Sequence, residues 1–209
     1  MLLIVPRGAC LVKKSWFVVV EGIDQSGKNT QSEILLRRFE DEGYRANLLS
    51  FPNYKTRIGK LIKSFLSGKI SYPPEVRHML LSANRWETKS ELENHLKKGF
   101  ALVCNRYSQS NIPYGVANGL DRKWLEALDD GLPKPDAVIL IDISPKMSLA
   151  RKGKERDLHE KDLNFLNKVR ENYLRLAEEQ NWITVDGERN VEKVSRDIWN
   201  LVSKRLNIN

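Results

Sequence analysis

The chain is poor in cysteine, and the little it has is badly placed for cross-linking or metal binding. Cys10 and Cys104 are the only two; they lie far apart in different kinds of segment, so neither a disulfide framework nor a Cys-x-x-Cys metal site can be built from them. A reducing, cytoplasmic setting fits. No apolar run reaches the roughly 18 residues that a membrane-crossing helix requires, and 30% of the residues are charged, so a soluble protein without membrane contact is expected. A secretory signal is missing too: residues 1–15 start apolar and carry Arg7, Lys13 and Lys14 only afterwards, the reverse of the signal order, and read as a loose extension. There is no internal repeat, low-complexity tract or linker. The remaining residues, 16–209, read as one domain with enough apolar content, 41% of the chain, for one sizeable core.

The charge is lopsided, with a net +8 and a pI near 9.4. That excess suits a nucleic-acid binder or an enzyme whose substrates carry several phosphates. The ladder of alternating aromatic and basic residues that stacks single strands is absent. Lysine and arginine are scattered, apart from one cluster at 151–156. Phosphorylated small molecules are therefore the expected partners, and nucleic acid is not; a DNA-binding surface would instead show strongly salt-dependent affinity.

What is present is a phosphate-binding loop. An apolar run, Val18-Val19-Val20, breaks into Gly22-Ile23-Asp24-Gln25-Ser26-Gly27-Lys28-Asn29-Thr30 and then into helix-forming sequence. Gly22 and Gly27 let successive backbone N–H groups converge on one anion, Lys28 adds a full charge, and the helix start adds its dipole. One position departs from the GxxxxGK[ST] pattern: Asn29 stands where a hydroxyl normally holds Mg²⁺. A chance glycine turn between strand and helix would not require Lys28 where the mechanism needs it.

Further along, strands and helices alternate. Apolar spacing predicts a helix after the loop closed by Gly43, a strand from Ala46 to Phe51 stopped by Pro52, a short helix through Ile58, Ile62, Phe65 and Leu66, and a long helix from about Glu75 to Lys98. The unbroken run Phe100 to Cys104 and the stretch Ala137 to Ile143 read as strands buried on both faces; Trp182 to Val185 is a last short strand before a closing helix through Val191, Val194, Ile198, Leu201 and Val202. Such alternation means a parallel sheet whose strand ends share one edge, where ligands of these folds bind. Gly22, Phe51, Asn105 and Asp142 should meet there.

Four motifs now carry a resemblance. Phe51-Pro52-Asn53-Tyr54, Ser82-Ala83-Asn84-Arg85-Trp86-Glu87, Asn105-Arg106-Tyr107 with Ser110-Asn111, and Gly131-Leu132-Pro133-Lys134-Pro135-Asp136 resemble, in order, those of the thymidylate kinases, over nearly all of residues 16–205. The resemblance implies a three-layer α/β P-loop NTPase fold, with a central parallel sheet of about five strands flanked by helices and a basic lid. It implies transfer of the γ-phosphoryl group of ATP to dTMP, a homodimer, and Mg²⁺. It places Arg85 against the thymine carbonyl, Arg106 on the acceptor phosphate, Asn111 on the thymine edge, Ser110 and Tyr114 around sugar and base, and Asp24 on the ribose 3′-hydroxyl. Phe51 contributes to the monophosphate pocket; Tyr54 stands where many relatives have Arg, and Leu81 where some stack Phe. Lys55 or Arg57 could replace the missing cation.

Each residue also has a plainer reading. Arg85 and Arg106 could be ordinary ion-pair partners, Asn111 a turn cap before Pro113, and Asp24 a turn-stabilising carboxylate. The cluster Arg151-Lys152-Gly153-Lys154-Glu155-Arg156 is either a solvated charge run or a lid whose cations, Arg151, Lys154 and Arg156, reach the transferred group when both substrates are present. Gln25, where some relatives carry Arg in the loop, points to the lid. The metal site has departed twice, because Asn105 replaces the Asp usual before Arg-Tyr. Asn29 and Asn105 would contribute weakly, through water, beside ATP oxygens and either Glu21 or Glu160. A nucleotide-binding protein with weak catalysis, or one with a different monophosphate acceptor, is the alternative.

Overall fold

A computed structural model describes residues 14–151 and 160–208, with the side chains of 160–162 set aside. Lys154, Arg156, His159, Cys10 and nearly all of the 1–15 extension lie outside the described residues. Strands β1 (Trp16–Glu21), β2 (Ala46–Ser50), β3 (Ala101–Asn105), β4 (Ala137–Asp142) and β5 (Ile183–Asp186) form one sheet. Its order is β2-β3-β1-β4-β5, with every pairing parallel. Helices α1 (Lys28–Asp41), α2 (Arg57–Leu66), α3 (Pro74–Glu87), α4 (Lys89–Lys97), α5 (Asn111–Ala117), α6 (Arg122–Leu128), α7 (Pro145–Arg151), α8 (Glu160–Glu179) and α9 (Val191–Leu206) connect the strands.

The two-residue period of the central strands assigns the layers. Trp16, Val18 and Val20 of β1 join Val103 and Ile139 in packing against Leu35 and Phe39 of α1 and Val194, Ile198 and Val202 of α9. Phe17 and Val19 face the opposite way, with Leu102 and Cys104, onto Leu92 of α4. Leu140 continues that second face onto Val169, Tyr173 and Ala177 of α8. Each such fully buried aliphatic side chain contributes about 1.5–3 kcal/mol. The sheet is thus covered on both sides, and its ligands must come to the edge.

Strand ends differ from the expected ones by one residue, within the usual uncertainty of boundaries. The expected long helix over 75–98 divides instead at Thr88, between α3 and α4. Both the backbone N–H (3.1 Å) and the hydroxyl (3.0 Å) of Thr88 donate to the Arg85 carbonyl, so the side chain competes with the helix ladder and tightens the turn. Helices α5, α6 and α8 were not anticipated.

The four residues expected at the ligand edge do converge there. The Phe51 N–H donates to the Asn105 carbonyl (3.0 Å), Asn105 pairs in register with Val20, and a Cβ on Gly22 would sit 2.5 Å from the Ile141 carbonyl oxygen, one residue before Asp142.

Candidate active site

Gly22 leaves β1 with φ 147°, and the same hypothetical Cβ would lie 2.7 Å from Ser26 Oγ, so only glycine lets the loop fold back on itself. Gly27, at φ 94°, caps α1 with no side-chain hydrogen bond, leaving the first N–H groups of the helix available to an anion. Lys28 is buried, and its Nζ donates to the Ile23 carbonyl at 2.7 Å and approaches Ser26 Oγ at 3.4 Å. Residues 24–30 of the expected loop line a cavity of about 630 Å³, together with Gln31, Arg106, Arg151 and Arg189. Gly22 and Ile23 stand behind it, where Ile23 is part of the apolar core.

Burial, followed by the charge of Arg106, lowers Lys28 from its ordinary 10.5 to about 7. Protons are therefore bound by the unfolded chain and not by the fold between those two values, so this group makes the ligand-free fold more stable as pH rises through that window. Polyphosphate reverses the balance, because its charge favours the ammonium form. Near pH 8, ATP binding should take up about one proton, read as the dependence of calorimetric enthalpy on buffer ionisation. Lys28→Arg, charged throughout, should take up none; equal uptake by the two would contradict the shift.

A second cavity, of about 400 Å³, opens beside the first. Asp24, Phe51, Tyr54, Leu81, Arg85, Arg106, Ser110, Asn111 and Tyr114, all nine residues expected to bind the acceptor, line it with Pro52, Leu66, His78 and Tyr107. Asp24 and Arg106 line both cavities. Arg106 follows β3 at φ 64°, with its N–H on the Val20 carbonyl at 3.0 Å, and this left-handed residue turns its side chain across the strand ends. Its guanidinium pairs with the Asp24 carboxylate and lies over the Tyr114 ring, 5.4 Å from the centroid. Lys55 and Arg57 are exposed and line neither cavity.

The motifs are largely devices for holding these walls. Asn84, fully buried, accepts the Asn53 N–H at 2.7 Å and donates to the Asn53 carbonyl at 3.3 Å and Thr56 Oγ1 at 2.9 Å, fixing the 51–54 segment against α3. Gly59 seals the same segment, since a Cβ there would come within 1.8 Å of the Asn53 carbonyl oxygen.

Glu21 is not available to a metal. Its fully buried carboxylate accepts from the Tyr107 N–H (2.9 Å), the Ser110 hydroxyl (2.7 Å) and the Tyr173 hydroxyl (2.8 Å). Ser110 therefore lines the second cavity with its hydroxyl already donated to the core. Asn105 and Asn29 do meet: Asn105 Nδ2 donates to Asn29 Oδ1 at 2.5 Å, and Asn105 Oδ1 is buried without a partner. Among the described residues no cluster of three His, Cys, Asp or Glu could hold a metal.

Arg151, at the end of α7, donates to the carbonyls of Gln25 (3.2 Å) and Gly187 (2.8 Å), bracing the phosphate loop against the turn after β5. Sequence reasoning missed several members of the site. Arg189 borders the first cavity, and the Ser148 hydroxyl holds the Asp24 carbonyl at 2.7 Å. His78 Nδ1 lies 2.8 Å from Asn111 Oδ1, and Asp129 pairs with Arg85. Tyr173 was legible in principle, because Phe165, Val169, Tyr173 and Ala177 recur every four residues as one face of a helix.

Three comparisons bear on this arrangement. The family model for thymidylate kinase matches residues 20–198. The chain is 37% identical to the thymidylate kinase of Plasmodium falciparum, covering 92% of this chain and 91% of that protein, and 36% identical to that of Schizosaccharomyces pombe, covering 89% and 90%. A solved structure of thymidylate kinase from Candida albicans superposes with a TM-score of 0.78 at 27% identity, over 93% of each chain.

Proposed function

The chain belongs to the thymidylate kinase family, and from that membership we infer that its two joined cavities are the donor and acceptor sites of one phosphoryl transfer. The enzyme has the P-loop NTPase fold and moves the γ-phosphoryl group of ATP to dTMP, releasing dTDP and ADP. ATP takes the cavity built on the phosphate loop, and dTMP the one between α3 and α5. The observation that carries this reading is the position of Arg106 and Asp24 on the lining of both cavities. An oxygen of the dTMP phosphate attacks the γ-phosphorus as the bond to the β,γ-bridging oxygen breaks, and no protein nucleophile is needed. Catalysis is then positioning and charge stabilisation. Lys28 and the loop N–H groups hold the donor phosphates, and Arg106 spans donor and acceptor. Arg85 and Asn111 face the pyrimidine edge between apolar walls from Phe51 and Leu81, with Tyr54, Ser110 and Tyr114 around the rest. Arg151 borders the donor cavity while bracing the phosphate loop, and Lys154 and Arg156 supply the lid cations.

The donor set fits a metal held mainly by phosphates and water. Asn105 Oδ1, buried and unpartnered, can accept from a metal-bound water, and Asn29 lies beside it. Mg²⁺ bound there would neutralise the charge on the β- and γ-phosphates. Residues 16–209 form the kinase domain and 1–15 an extension. The exposed Leu61 of α2 and Met79 of α3 support a homodimer through these helices, and a sequence with only two cysteines, far apart, supports a cytoplasmic setting. Among the described residues no helix is long and apolar enough to cross a membrane.

ADP release measured with dTMP, dUMP, CMP and thymidine in turn tests the reading. Turnover is expected with dTMP and to be negligible with CMP, whose amino group meets arginine donors, and with thymidine, which lacks the phosphate. Comparable rates with CMP, or ADP release independent of any acceptor, would contradict it.

A further inference from the structure

We propose that Asp129, which lies outside the acceptor cavity, is the residue that aims both of its base-facing side chains, Arg85 and Asn111. Asp129 follows α6 and accepts from Arg85 at two points, Nε to Oδ1 at 3.0 Å and Nη2 to Oδ2 at 2.6 Å. The pair is almost wholly buried, with side-chain exposures of 3% and 7%. Oδ2 also receives Asn111 Nδ2 at 3.4 Å, and Oδ1 the Ser82 hydroxyl at 2.7 Å. The neighbouring Leu128 carbonyl accepts from Ser82 (2.7 Å) and Trp86 Nε1 (2.9 Å). Ser82, Arg85 and Trp86 are spaced by three and four residues on one face of α3, so the whole face is tied to the 128–129 segment.

The consequence is directional. A bidentate carboxylate fixes the plane of a guanidinium as well as its place, and with Nε and Nη2 engaged, Nη1 takes no partner among the described residues. The Asn111 amide is likewise oriented from both ends, its Nδ2 toward Asp129 and its Oδ1 toward His78. A guanidinium only donates. Aimed at the cavity it favours a ring carbonyl and opposes an exocyclic amino group, so Asp129 sets the preference for thymine over cytosine without touching either. The segment explains the place of Asp129 two residues before Gly131, whose motif otherwise has no contact with the acceptor cavity.

This inference rests on the acceptor site proposed above, and the test separates the two. Asp129→Asn keeps the shape and removes the charge. It should raise the KM for dTMP about tenfold, with the KM for ATP changed less than about twofold, and should narrow the ratio of kcat/KM for dTMP over dCMP. Adding Asp129→Asn to Arg85→Ala should raise the KM for dTMP less than about twofold further, because the carboxylate acts largely through the arginine. Asp129→Glu, which retains the carboxylate, should recover part of the dTMP KM even where its thermal stability matches that of Asp129→Asn. If Arg85→Ala raises the KM for dTMP and neither Asp129 variant does, the positioning role is wrong. If Arg85→Ala itself leaves that KM unchanged, the acceptor-site reading is wrong.

Discussion

Arg106→Ala should lower kcat by about 10²–10³-fold, the scale of losing one preorganised donor to developing charge, while melting within a few degrees of the unmodified protein. Among the described residues the guanidinium is the only cationic group that borders both cavities, and charge spreads over the transferred group as the donor bond loosens. A flexible surface arginine would be replaced by water at little loss. Arg106 is instead held by the Asp24 carboxylate, the Tyr114 ring and a left-handed backbone anchored on Val20, so its place is defined before substrates arrive. The stability change should be small: the Asp24 side chain left behind is 62% exposed and can be solvated, and alanine tolerates the positive φ no worse than arginine. Single-turnover kinetics separates the chemical step from binding, and near-normal turnover would remove Arg106 from the reaction.

Glu21→Leu should cost about 3–5 kcal/mol of folding stability, because it strips three buried donors of their shared acceptor. Three donors converge on this carboxylate: the Tyr107 N–H, the Ser110 hydroxyl and the Tyr173 hydroxyl. Leucine leaves them facing apolar atoms, and each orphaned buried donor costs about 1–3 kcal/mol. The carboxylate also joins β1, the turn after β3, and α8, so losing it loosens the wall shared by both cavities. The same negative charge helps to keep Lys28 protonated, and its loss should lower the Lys28 pKa further. Urea unfolding monitored by circular dichroism measures the stability term. A loss below about 1 kcal/mol would mean that the three donors find other partners.

The strands themselves were largely legible because a strand buried on both faces must be apolar throughout, as 101–104 and 137–141 are; their order across the sheet was not. The phosphate loop was legible because glycine and lysine at fixed spacing have a mechanism. Helix α8 escaped because it follows the charge cluster at 151–156, where composition hides the four-residue recurrence from Phe165 to Ala177. The nine acceptor-site residues meet around one cavity, yet the groups that orient them were invisible. Nothing in a single sequence pairs Arg85 with Asp129 or Asn111 with His78, since those contacts depend on how α3, α5 and α6 cross. Asn29 and Asn105 read in the sequence as two departures at one metal site. They are one contact, an amide pair across the loop, joined only because β3 lies beside β1.

A crystal structure of the enzyme with ADP and dTMP bound would decide which cavity holds the donor and which the acceptor. The pyrimidine ring is expected between Phe51 and Leu81, with a ring carbonyl within hydrogen-bond reach of Arg85. The dTMP phosphate is expected on Arg106, facing the β-phosphate of ADP held at Lys28. A dTMP phosphate out of reach of Arg106, or a base seated outside the cavity between α3 and α5, would contradict this assignment.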